Sequence, residues 1–219
     1  MEYIKEYGDV LFLDMTNFRS YLCWNIVPLV VLNYNKNIKL CGFLASSSYT
    51  KDVYMWLFEQ LLKNELFGII LRTIISDSDT ALLPALKTIN DNTKDRVIHS
   101  MTCTWHKKKK LISMLSRLTI SHESKEMVKN GYSILTSTRS PEKFNEIFEK
   151  ISSIHTAVRS FLEQDFMPHK ENLTLAFSKE TFNMGYTVSS PSESANHMIK
   201  SNLKNKDFSL IEIREFLIK

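Results

Sequence analysis

Thr73-Ile-Ile-Ser-Asp77-Ser-Asp79-Thr-Ala-Leu-Leu-Pro84-Ala-Leu86 is the stretch on which the reading of this chain turns. It opens with three β-branched residues, Thr73, Ile74 and Ile75, which favour a pleated strand. It closes on an apolar segment that suits a helix. Asp77 and Asp79 therefore fall at the joint between a strand and a helix, the place where open α/β sheets bind their ligands. Asp is also a preferred helix N-cap, so a capping role and a ligand role both fit this stretch alone. Other residues shift the balance toward a ligand. Asp14 closes an apolar strand upstream, Cys103-Thr-Trp-His106 follows downstream, and Glu193 opens a late helix.

With 219 residues and 43% hydrophobic content, the chain can bury a sizeable core, either as one large domain or as one domain with an insertion. A formal net charge of +4 permits a polyanionic partner without requiring one. Three irregularly spaced cysteines argue against a disulfide framework and for a reducing compartment. The N-terminus shows no secretory h-region. The longest apolar run, Ile26–Leu32, contains Pro28 and is far shorter than the ~20 residues that a membrane span needs. These features lead us to expect a soluble intracellular protein.

From the N-terminus, Val10-Leu-Phe-Leu13 suits a central strand covered on both faces, with Asp14 at its end. A lone buried carboxylate is costly, so it needs water, a donor or a metal. Residues 24–34 and 38–45 read as a hairpin about Asn35-Lys-Asn37, with Pro28 marking an irregularity or an edge position. Cys23 and Cys41 fall in these strands as small core residues. A helix is expected over residues 51–64, its apolar stripe running Val53, Trp56, Leu57, Gln60, Leu61. Strand 71–76, helix 80–90 with an irregular first turn at Pro84, and strand 96–101 follow. Two long amphipathic helices are expected over residues 107–139 and 140–165. A further helix covers 193–203, and a helix or strand-like segment covers 211–218. Strands in the order β-β-β-α-β-α-β imply a mixed sheet with helices on its faces.

Four blocks in this order resemble the Mutator-like transposases and their domesticated relatives, plant transcription factors of the far-red-response type. They are Val10-Leu-Phe-Leu-Asp14-Met-Thr16, Ile74-Ile-Ser-Asp77-Ser-Asp79-Thr-Ala-Leu82, Cys103-Thr-Trp-His106, and Ser189-Ser-Pro-Ser-Glu193-Ser-Ala-Asn196-His-Met-Ile-Lys200. The resemblance runs from about residue 9 to 216. It implies an α/β, RNase H-like fold: a mixed five-stranded sheet flanked by helices, with an all-α insertion before the last catalytic helix. On that pattern residues 1–106 form the core, 107–187 the helical insertion, and 188–219 the catalytic helix and the end of the core. It also implies a catalytic triad of Asp14, Asp77 and Glu193. Two departures stand out: residues 46–50 carry no acid where the family usually has one, and Pro84 is unusual. The chain also carries neither the upstream zinc-binding DNA-recognition domain nor the downstream zinc module of full-length members, and so reads as a truncated or excised core.

Three converging carboxylates repel one another without a cation, so Asp14, Asp77 and Glu193 together predict Mg²⁺ or Mn²⁺, with two ions expected. Two hard ions can serve an in-line phosphoryl displacement. The expected function is metal-dependent DNA strand cleavage and strand transfer during transposition. The partners are then transposon ends and target DNA, with a possible homo-oligomer, no membrane, and residence in the nucleus. The alternatives are a domesticated, inactive DNA-associated regulator and a stand-alone RNase H-like nuclease. Candidate DNA contacts are Trp105, His106, Lys107, Lys108 and Lys200. The lysines suit phosphates, and Trp105 suits either an unpaired base or the core. The run Lys107–Lys110 also fits the solvated start of a helix. Cys103 and His106 have the spacing of half a zinc site, yet no partner pair follows at suitable spacing. Ser190-Pro-Ser-Glu193 matches a capping box, a role that Glu193 would fill without any metal.

Overall fold

The computed structural model describes residues 6–14, 25–63, 71–77, 80–93, 97–178, 190–202, 211–212 and 215. In chain order its elements are β1 Val10–Leu13, β2 Asn25–Leu32, β3 Ile38–Ser46, α1 Lys51–Lys63, β4 Thr73–Ser76, α2 Leu82–Asn92 and β5 His99–Thr102. Then come α3 Thr104–Ser116, α4 His122–Ser137, α5 Pro141–Ser152, α6 Thr156–Phe161, α7 Lys170–Leu173 and α8 Ser190–Asn202. The chain divides into two compact units, Met1–Ser100 with Phe182–Lys219, and Met101–Thr181.

The first unit is an α/β structure built on a five-stranded mixed open sheet of order β3-β2-β1-β4-β5. β1 pairs antiparallel with β2 and parallel with β4, and β2 pairs antiparallel with β3. Side chains alternate between the two faces of a strand. Leu11, Leu13, Val27, Leu29 and Ile74 join the core that packs against α1 and α2. The buried residues of opposite parity, Val10, Phe12, Ile26, Val30 and Ile75, occupy the other face. α8 packs on β1, β2 and β3, and its buried positions Ser192, Ala195 and Ile199 lie outside the α1/α2 core. Both faces are covered, which is why β1 is continuously apolar.

Pro28 lies in β2, an internal strand, so its edge reading fails and the irregularity is what it marks. The β2–β3 register shifts between Leu29 and Val30, whose partners Gly42 and Leu40 leave Cys41 as an extra residue on β3. A bulge beside a residue with no N–H costs the ladder little. Cys41 is only partly buried, and Cys23 lies outside the described residues. In α1 the buried residues are Tyr54, Leu57 and Phe58. Trp56 is instead 56% exposed, so the expected stripe was placed too far round the helix. Pro84 falls in the first turn of α2, which starts at Leu82 and has no side-chain cap; a missing N–H there breaks no helical bond.

The second unit is helical beyond the end of β5. Neither long helix expected here is continuous. Ser121 caps α4 by accepting from the Ser124 N–H at 3.1 Å, which separates α4 from α3. Ser140 caps α5 in the same way, with Pro141 in its first turn. α5 then stops at Ser152, because His155 Nδ1 accepts from the Ala157 N–H at 3.0 Å and starts α6. A π-helical turn, Leu162–Phe166, and a 3-10 turn, Met167–His169, follow. Tyr132, Phe144 and Phe166 centre this core, with ring centroids 5.5 and 6.1 Å from that of Phe166. Gly131 lets α4 and α5 close together: a Cβ there would lie 2.3 Å from Ile151 Cγ2.

Candidate active site

The site begins at the far end of the strands, where Asp9 sets their register. Its carbonyl accepts from the N–H groups of both Arg72 and Thr73, at 2.9 and 3.0 Å, and its carboxylate meets Arg72 Nε at 3.2 Å. From there β1 and β4 run in parallel, pairing Val10 with Thr73 and ending with Leu13 opposite Ser76. Asp14 and Asp77 are the next residue of each strand. They therefore leave adjacent parallel strands side by side, about 5 Å apart at the backbone. A one-residue slip would move one of them to the opposite face.

Both acids continue the parity of Phe12 and Ile75, which places them on the sheet face that α8 covers. Asp14 is 3% exposed and Asp77 half-buried. The antiparallel β1–β2 ladder ends at Leu13 opposite Leu29, and the next β2 residue is Pro28. Having no N–H, Pro28 is a poor partner for further pairing, so β1 is released at Asp14. Ser76 Oγ donates to the Asp77 carbonyl at 3.0 Å and ties down the turn that leaves β4.

Glu193 stands in the first turn of α8, half-buried, next to the fully buried Ser192. The helix starts at Ser190, three residues before the start expected at 193, so Glu193 is its fourth residue. Asp79, and the side chains of Ser190, Asn196 and Lys200, lie outside what the structure describes.

The Cys103-to-His106 block lies in the second unit and opens α3, three residues earlier than the start expected at Lys107. Cys103 is the N-cap residue and is buried. Trp105 is 43% exposed, against the core reading, and its ring meets His106 edge-on at 4.9 Å. The lysines that follow differ sharply. Lys107 is buried and donates to the Asp165 carbonyl at 3.4 Å; burial pulls its pKa down, Asp165 opposes this, and Lys110 adds to it. Lys108 reaches Ser133 Oγ at 2.7 Å, and Lys110 pairs with the Asp165 carboxylate. Lys109 is exposed and stands 5.1 Å over the Trp105 ring. A uniformly solvated helix start does not describe this run.

Sequence reasoning missed Asp9 and the ladder stop at Pro28, though the pairing of Asp9 with a basic residue before β4 is a visible signal. It also missed Asn90, whose side chain bonds both the N–H and the carbonyl of Ile98 at 2.9 Å and anchors α2 to the segment before β5. No pattern in the sequence announces that contact. Among the described residues, no helix is long and apolar enough to cross a membrane. No family model matches this chain, and a search of curated proteins returns no match.

Proposed function

We propose that the first unit is an RNase H-like nucleotidyl-transfer core of the Mutator-like kind, using Asp14, Asp77 and Glu193 on DNA. The observation that supports this reading is the register of β1 and β4, which brings Asp14 beside Asp77, together with the packing on β1 of the helix that bears Glu193. Two carboxylates delivered to one spot by adjacent parallel strands are a poor structural choice unless something positive joins them. Three carboxylates, as this reading has them, are the kind of donors that hold Mg²⁺ or Mn²⁺. When bound, such an ion polarises a phosphoryl oxygen and lowers the pKa of its water.

The chain's own residues then supply position. Asp14 is held by a buried strand and Asp77 by the Ser76-stabilised turn, so neither needs to reorganise as charge develops on the phosphate. The covered sheet face limits water around them, which strengthens their hold on a cation. The helical segment between β5 and α8 would be the family's insertion. Strand transfer, transposon ends as substrate, assembly into oligomers and work in the nucleus come with the same reading. The test is nicking of supercoiled plasmid in Mn²⁺ by the full chain. Wild type should nick and Asp14→Ala should not; equal nicking by the two removes Asp14 from the chemistry.

A further inference from the structure

Asp165 lies in the π-helical turn of the second unit, and α3 grips it twice. Lys107 donates from Nζ to its main-chain carbonyl at 3.4 Å, and Lys110, one turn along α3, pairs with its carboxylate. His169 shares this environment: burial and the charge of Lys107 lower its pKa, and Asp165 opposes both. Two ammonium groups thus meet at Asp165, one at its main-chain carbonyl and one at its carboxylate. Among them Lys107 is only 8% exposed. A buried ammonium is costly without compensating charge, and one carboxylate shared with Lys110 compensates it incompletely.

We propose that Lys107 and Lys110 form a binding site for a phosphate group, which the Asp165 carboxylate fills from within the chain. This site belongs to the second unit and does not rest on the role of the three acids. Its geometry suits exchange. Lys107 is held by a main-chain carbonyl, so it keeps its place when the Asp165 side chain turns away. The Lys110 side chain is 60% and that of Asp165 34% exposed, so the pair that a phosphate would part is open to solvent, with Lys107 buried behind it. A phosphate offers more acceptor oxygens than a carboxylate and can take bonds from both lysines together. Asp165 then acts as a built-in competitor that keeps affinity low until a phosphate displaces it.

The experiment is calorimetric titration of the full chain with inorganic phosphate and, separately, with an oligothymidylate of about ten nucleotides. Asp165→Asn keeps the carbonyl bond to Lys107 and removes the competitor, so binding should tighten about tenfold. Tightening toward both probes identifies a site for any phosphate, and tightening toward the oligonucleotide alone identifies a phosphodiester site. Adding Lys110→Gln to Asp165→Asn should undo the gain. Glu163→Gln makes the same change of net charge, but Glu163 faces Arg159 at 3.4 Å, so it should change nothing. Unaltered binding in Asp165→Asn, an equal gain in Glu163→Gln, or a gain that survives Lys110→Gln overturns the proposal. If Asp165→Asn fails to fold, Lys110→Gln alone decides: it should weaken oligonucleotide binding, and undiminished binding overturns the proposal too.

Discussion

Replacing Asp14 with Asn should stabilise the fold in the absence of metal. Asp14 is 3% exposed and follows Leu13, whose partner across the parallel ladder is Ser76, so its neighbour is Asp77. Two ionised carboxylates held at about the ~5 Å spacing of their strands would repel by about 3 kcal/mol at an effective dielectric of ~20. Asn has nearly the same shape and keeps an acceptor oxygen, so the change removes charge with little loss of packing. The expected gain is ~1–3 kcal/mol, which raises Tm by roughly 2–12 °C in a chain of this size. Thermal melting followed by circular dichroism in EDTA measures it. Repeating the melt with Mn²⁺ supplies the second half: wild type should gain stability, because a ligand that binds only the folded state stabilises it, and the variant should not. A lower Tm for Asp14→Asn in EDTA would refute the reasoning, since it would make Asp14 a structural acid that the fold needs charged.

Further predictions concern the frame of each unit. Gly131→Ala should destabilise by ~1–3 kcal/mol in chemical denaturation, because the added Cβ meets the stiff Ile151 side chain and outweighs the gain in helix propensity; a stabilised variant would mean that α4 and α5 do not approach as described. Asn90→Ala leaves two main-chain groups of Ile98 without their bonds and should cost ~1–3 kcal/mol by the same measurement. For His169 the folded pKa lies below the ordinary 6.5, so the unfolded chain binds more protons and stability falls as pH drops below 6.5. His169→Gln should flatten that part of the pH–stability curve, and an unchanged slope would assign it to another group.

The legible part of this fold was the part written in strand chemistry. Val10-Leu-Phe-Leu13 and Thr73-Ile-Ile-Ser76 announce buried strands through an apolar or β-branched run, whereas their parallel pairing is written in neither run and comes only with the strand order that the resemblance implies. The helical unit was harder to read. Its apolar spacing continues smoothly past residues 117–121 and 153–155, and only the small caps at Ser121 and His155 show where one helix ends and the next begins. Trp56 and Trp105 misled for one reason: a large aromatic reads as core, whereas its helix happened to turn it outward. Of the site, the positions of Asp14 and Asp77 at strand ends could be read directly. Glu193 could not be separated from a capping residue, because Ser190-Pro-Ser-Glu193 satisfies both patterns.

Glu193→Gln therefore gives the most direct test that three carboxylates form one metal site. Gln serves a capping box as well as Glu, yet it carries no charge for a cation. In one series, wild type and variant are titrated with Mn²⁺ by electron paramagnetic resonance, melted in EDTA, and assayed for plasmid nicking. The prediction is a Tm in EDTA that is not lowered, Mn²⁺ affinity reduced at least about tenfold, and nicking lost. Wild-type affinity and wild-type nicking in Glu193→Gln would contradict it, leaving Glu193 as a helix cap and the site without its third ligand.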